Sequence, residues 1–148
     1  TGEYARLLER AGVRVLRDGW TLLEREGETL TLYGMERKRP RPLPASCPRP
    51  VIALAHQPQW LYLYEAAGWD LVISGHAHGG IWRLPFTDGL VDTNLNLLPS
   101  FTSGFYHCTD EDCAGAEVFV SRGLGNSPKW ALRLFNRPQL AVITLKKG

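Results

Sequence analysis

The chain has 148 residues, 44% of them hydrophobic and 22% charged, with a formal net charge of +2. That is one domain's length with enough apolar content to bury a core, which excludes a wholly disordered chain. No apolar run approaches the roughly 20 residues of a membrane-spanning helix, and so small a net charge gives no ground to expect a nucleic-acid partner.

Residues 3–11 read as a helix. Tyr4, Leu7, Leu8 and Ala11 fall on one face at helical spacing, and Gly12 supplies the stop. Val13–Leu16 has the composition of a short strand. Trp20–Glu24 and Glu28–Tyr33 predict a β-hairpin turning at Glu26-Gly27. These elements make up residues 1–35. Residues 36–50 hold five of the ten prolines and five basic residues. Proline fixes φ and removes a donor, so this stretch is expected to be a solvated connection without regular structure.

The third part, residues 51–148, carries the histidines. Val51–Ala55 (VIALA) is an apolar run of the kind found in strands covered on both faces. Residues 60–67 (WLYLYEAA) form a short helix pattern closed by Gly68, and Asp70–Ser74 (DLVIS) is a second buried strand. Strand, helix and strand in this order predict a βαβ unit with the two strands parallel. Residues 81–102 are expected to be irregular. Phe105–His107 and Glu117–Val120 could pair as a hairpin around an acidic turn, 122–126 form a loop, and Gln139–Leu145 (QLAVITL) has the pattern of a final strand. The whole predicts an α/β fold.

Three of the four histidines sit just past two of these strands. His56 follows VIALA, and His76 and His78 follow DLVIS within the segment GHAHGG. Parallel pairing would bring both strand ends to one pocket, where ligands of α/β sheets bind. Neutral imidazole is a common ligand for zinc, iron, manganese or nickel. His76 and His78, two residues apart, could reach one metal or a pair of metals. Each histidine could also be a hydrogen-bonded structural residue; the argument for a metal rests on the three together.

Other groups are weaker candidates. The odd cysteine count, Cys47, Cys108 and Cys113, cannot close into a full set of disulfides. Cys108 and Cys113 could bridge or stand as thiols. With His107 they offer three donors, but not the number or spacing of a structural zinc site. Arg122, Arg133 and Arg137 could meet a phosphate or lie solvated at the surface. Trp60, Tyr62, Tyr64 and Trp69 form an aromatic cluster suited to core packing or to an aromatic rim.

The segments LAHQP at 54–58, DLVISGHAHGG at 70–80, RLPF at 83–86, SRGLG at 121–125 and RLFNRPQLAVITL at 133–145 resemble the calcineurin-like metallophosphoesterases, closest to a bacterial membrane-associated phosphodiesterase branch. GEYARLLERAGVRVL resembles the stretch after that family's Gly-Asn-His motif. The resemblance implies the C-terminal half of an αββα sandwich with mixed sheets. It implies that the parent protein hydrolyses phosphoesters using two divalent metals (Mn, Fe or Zn), with a metal-activated hydroxide as nucleophile. His56, His76 and His78 match metal ligands, and Arg122 lies in a segment near the family's active site.

No residues here match the family's Asp-x-His, Gly-Asp-x-x-Asp or Gly-Asn-His motifs, and the resemblance puts Thr1 just after them. The expectation is therefore that this chain binds at most one metal, weakly, and that no side chain in it is a catalytic acid or base. Its expected partners are a phosphoester substrate and other copies of itself through exposed sheet edges. The branch would also allow membrane association or export. The rival readings are a non-catalytic scaffold that keeps the fold, and a nucleic-acid accessory protein. The latter requires binding that falls steeply with salt.

Overall fold

The computed structural model describes residues 2–37, 39–107, 115–125 and 132–146. Cys108 and Cys113, most of the acidic turn and Asn126 lie outside these residues.

The elements run α1 (Gly2–Arg10), β1 (Gly19–Arg25), β2 (Glu28–Gly34), β3 (Val51–Leu54), a single 3-10 turn (Pro58–Trp60), α2 (Leu61–Ala66), β4 (Leu71–Ser74), β5 (Trp82–Arg83), β6 (Gly89–Val91), β7 (Gly104–His107) and β8 (Glu117–Val120). Six strands form one mixed sheet in the order β1-β2-β3-β4-β8-β7. Strands β2, β3, β4 and β8 are parallel, and the antiparallel β1 and β7 flank them. Strands β5 and β6 pair separately. The fold is thus α/β with a mixed sheet, as expected.

The hairpin β1–β2 turns at Glu26-Gly27, both in the left-handed region, with Arg25 opposite Glu28. The βαβ unit β3–α2–β4 is also as read, with Ala53 opposite Val72. The row continues across the sheet as Tyr33, Ala53, Val72 and Val118. These four are buried on one face, where Leu61 and Tyr64 of α2 and Trp69 pack against them. Tyr64 stacks on Trp69 with ring centroids 5.2 Å apart, and Tyr33 lies 5.1 Å from Trp69. The aromatic cluster is therefore divided: Tyr64 and Trp69 are core, and Tyr62 is exposed.

The proline-rich stretch has no regular structure, but its end is tied down. Thr31 donates through Oγ1 to the Pro48 carbonyl at 2.6 Å and through its amide to the Pro50 carbonyl at 3.0 Å. Asp70 accepts from the Val51 amide at 2.6 Å and from Arg49 at 2.7 Å. The loop is thereby clamped where it feeds β3.

Four expectations are corrected. Residues 81–102, expected to be irregular, hold the paired short strands β5 and β6. Val13–Leu16 is not a strand. Leu16 instead crosses the end of β2, where a methyl group on Gly34 would stand 2.4 Å from Leu16 Cβ. Gln139–Leu145 is not a strand either. Its alternating pattern finds no ladder among the described residues, and Leu140 and Val142 are 81% and 86% exposed. A strand's amides and carbonyls need a neighbour, and 139–145 is paired with neither edge strand, β1 or β7. Helix α1 forms, but of the expected stripe Tyr4 and Leu7 are exposed, and its buried residue is Ala5.

The sheet's two faces differ. Opposite α2, an open cavity of about 520 Å³ is lined by apolar groups that include Leu16, Leu23, Leu32 and Leu54.

Candidate metal centre

Strands β3 and β4 are adjacent and parallel, so their carboxyl ends lie side by side. The chain leaves β3 into His56 and leaves β4 into His76. Three bonds fix the relation between these exits. Ala55 donates its amide to the Ile73 carbonyl at 3.1 Å, buried Ser74 donates its hydroxyl to the His56 carbonyl at 3.0 Å, and Gly75 donates its amide to the same carbonyl at 3.4 Å. The outcome is direct: His56 Nε2 and His76 Nδ1 stand 3.1 Å apart, with the rings edge to face.

At that distance the two rings share a hydrogen bond when no ion is present, and the same spacing suits a shared ion. An ion bound by two imidazole nitrogens at about 2.1 Å each, at an angle between octahedral and tetrahedral, holds them about 3.0–3.4 Å apart. The His56–His76 pair therefore fits two adjacent positions on one divalent ion. Among the described residues, however, no group of three or more His, Cys, Asp or Glu side chains is placed to hold a metal. The fit extends to the pair and not to a complete centre.

His78 follows on the same turn. His76 and His78 have φ of 66° and 50°, and Gly79 and Gly80 also lie at positive φ. Non-glycine residues enter this region at a cost of about 1–2 kcal/mol each, so something must hold the turn. Ala77 bonds back to Gly75 and Gly80 to Ala77, each at 2.7 Å. Asn136, 58 residues on, donates to the His78 carbonyl at 2.6 Å. Arg133 Nη2 lies 3.5 Å from His78 Nδ1 and donates to the carbonyls of Arg122, at 2.7 Å, and Gly125.

Both histidines of the turn are held below the ordinary imidazole pKa. For His76, burial is the main cause and the neighbouring His56 adds to it, with Asp92 opposing. For His78, burial again leads; a hydrogen bond with the Gly125 backbone opposes it, and Arg133 and His56 reinforce it. The neutral ring favoured here is the metal-binding form.

Arg122 lies beside this turn. Its aliphatic stem packs on Gly79, and its Nε donates to Gln139 at 3.3 Å. His76 also opens onto a cleft of about 430 Å³ lined by Gln59, Asp92, Asn94, Asn96 and Ser100 among others. Exposed His107, on β7, belongs to a separate part of the sheet.

Sequence reasoning missed Ser74, Asp92 and Asn136, and it read Arg133 only as a phosphate or surface arginine. Ser74, Arg133 and Asn136 lie within segments already singled out, DLVISGHAHGG and RLFNRPQLAVITL, but carried no assigned role at the turn; Asp92 lies in none, and the contacts that give these residues their roles reach up to 58 residues along the chain.

No protein-family profile and no solved structure matches the chain. Three curated proteins do. An uncharacterized metallophosphoesterase of Campylobacter jejuni is 33% identical over 64% of this chain and 22% of its own length. The uncharacterized metallophosphoesterase YkuE of Bacillus subtilis is 30% identical over 64% of this chain and 30% of its own. The phosphodiesterase YaeI of Escherichia coli is 27% identical over 93% of this chain and 49% of its own. The chain thus spans half or less of the relatives it matches. These relatives, named metallophosphoesterases and a phosphodiesterase, support the resemblance to the calcineurin-like metallophosphoesterases that the segments around His56, His76 and His78 carry.

Proposed function

We propose that this chain carries the histidine part of the metal centre of a phosphoester hydrolase, with a phosphodiester or phosphomonoester as substrate. The observation that supports it best is the 3.1 Å approach of His56 Nε2 to His76 Nδ1. In this reading the two hold one divalent ion, and His78 is a ligand on the second ion of a dinuclear site. Mn, Fe and Zn all suit imidazole donors. When bound, such ions polarise the phosphoryl oxygens and activate water for in-line attack.

The chain's own groups would do the rest. His56 and His76 orient one ion at the mouth of the cleft. Arg122 and Arg133 put positive charge beside His78, where a phosphate would be drawn by guanidinium geometry. In this reading Arg122 exchanges Gln139 for a substrate oxygen.

A bridged pair of metals also needs carboxylates, and the described residues group none with the histidines. The 148 residues alone should therefore bind no more than one ion, weakly, and hydrolyse little. The test is turnover of a chromogenic phosphodiester by the pure chain with Mn²⁺. We expect a rate close to that of metal in buffer. Turnover well above it, abolished by His78→Ala, would show that the chain's own residues complete a working centre.

A further inference from the structure

Asn136 stands out among the buried polar residues. It is 3% exposed and lies just past Leu134, which bridges Trp82 of β5 through bonds to Ile81 and Arg83. Its Nδ2 donates to two carbonyls of the histidine turn, His78 at 2.6 Å and Ile81 at 3.4 Å. Its Oδ1 is buried and has no hydrogen-bond partner among the described residues. That oxygen instead faces Gly79 so closely that a methyl group there would stand 2.6 Å from it. An apolar side chain would fill the same space without burying an unmatched acceptor. The amide is explained by what it donates to.

The turn needs such a donor. His76, His78, Gly79 and Gly80 all have positive φ, and the bonds within the turn, Ala77 to Gly75 and Gly80 to Ala77, leave the His78 carbonyl without a partner. Asn136 supplies it and at the same time holds Ile81, where the chain leaves the turn. Ser74 grips the His56 carbonyl in the corresponding way. Each of the two strand exits is thus fixed through a histidine carbonyl by a buried polar side chain.

We propose that Asn136 is a positioning residue for the metal centre. It holds the His78 backbone in its left-handed conformation and so aims the His78 imidazole. This rests on the reading of His78 as a metal ligand. Loss of groups that support a ligand from behind typically costs about 10–100-fold in affinity for the ion that ligand holds.

The test uses the 148-residue chain with Asn136→Ala, Asn136→Leu, which keeps the volume but not the donor, and Asn136→Gln, which keeps a donor on a longer arm. His78→Ala is made alone and combined with Asn136→Ala. Without metal, ¹H–¹⁵N NMR follows the His78 ring and amide against Val72 and Val118 in the core. With metal, Co²⁺ titration gives the affinity. We expect the His78 signals to shift or broaden in the Ala and Leu variants while Val72 and Val118 stay in place. The His78 signals should recover partly with Gln. Because His78 is assigned to the second ion, which these 148 residues alone are not expected to hold, Co²⁺ affinity at the His56–His76 pair should stay about unchanged in every Asn136 variant and in His78→Ala. Unchanged His78 signals would overturn the proposal. So would a loss of Co²⁺ affinity in the Asn136 variants, alone or on the His78→Ala background, since Asn136 would then act on the fold at large. If Asn136→Ala does not fold, the Leu and Gln variants carry the same comparison. If the wild-type chain binds no Co²⁺, the metal reading fails and the centre proposed for Asn136 fails with it. The metal-free spectra would then still report whether Asn136 fixes His78.

Discussion

At the scale of single residues, the histidine turn is held by contacts with no slack. Gly79 has φ of 77°, and a Cβ there would lie 2.6 Å from Asn136 Oδ1 and 2.8 Å from Arg122 Cγ. Gly79→Ala should therefore cost the left-handed penalty plus a clash, about 2 kcal/mol or more, read as a lower urea midpoint. Thr31 gives a contrasting case. It is fully buried and donates to the Pro48 carbonyl at 2.6 Å. Thr31→Val keeps the shape and leaves that acceptor without its donor, so the loss should be about 1–3 kcal/mol, also measured by urea unfolding. No loss at Thr31 would mean that Asp70 and the Thr31 amide hold the loop before β3 without the hydroxyl.

At the scale of elements, the joint between the β1–β2 hairpin and the proline-rich stretch is electrostatic. Asp18 accepts from the amides of Glu36 and Arg37, at 3.1 Å each, and from the Arg37 guanidinium at 2.7 Å. Burial alone would raise its pKa, but these hydrogen bonds and the Arg37 charge outweigh burial and hold it below the ordinary value of 3.8. A carboxylate depressed on folding adds stability that is fully present above its unfolded pKa and is lost as pH falls through the folded one. The unfolding midpoint should thus drop between about pH 5 and about pH 3, and Asp18→Asn should flatten part of that drop. An equal slope in the variant would mean that other carboxylates carry the acid sensitivity.

The elements also show what the sequence made legible. The hairpin, the βαβ unit and the pairing of 105–107 with 117–120 follow from local alternation and turn residues, and they formed as read. The placement of β8 beside β4 and of β2 beside β3 did not follow, because parallel neighbours are set by packing across the sheet rather than by nearby residues. The same limit explains QLAVITL: its alternation is that of a strand, but pairing is decided by where the folded chain runs, and it is paired with neither edge strand, β1 or β7. At the site, His56 and His76 were legible because each ends a buried strand. Asn136 and Ser74 were not, since a lone Asn or Ser shows its partner only once the chain has folded.

At the scale of the whole molecule, α2 covers one face of the sheet while apolar residues on the other line an open cavity. Leu54 is 42% exposed, and Leu23 on the same face is 46% exposed. Apolar patches of this kind seek a cover. We expect the purified chain to self-associate in sedimentation velocity, with Leu23→Glu and Leu54→Lys shifting it toward monomer. A compact monomer at all concentrations would contradict this. No helix among the described residues is long and apolar enough to cross a membrane.

The most direct test of the account is a Zn²⁺ titration of the wild-type chain and of His56→Ala and His76→Ala by calorimetry. The pair's spacing predicts one equivalent of weakly bound metal in the wild type and at least a tenfold loss in either variant, of the size expected when an ion loses one of its protein ligands. Binding that is absent from the wild type, or that survives unchanged in both variants, would contradict the reading of His56 and His76 as the two imidazoles of a metal centre.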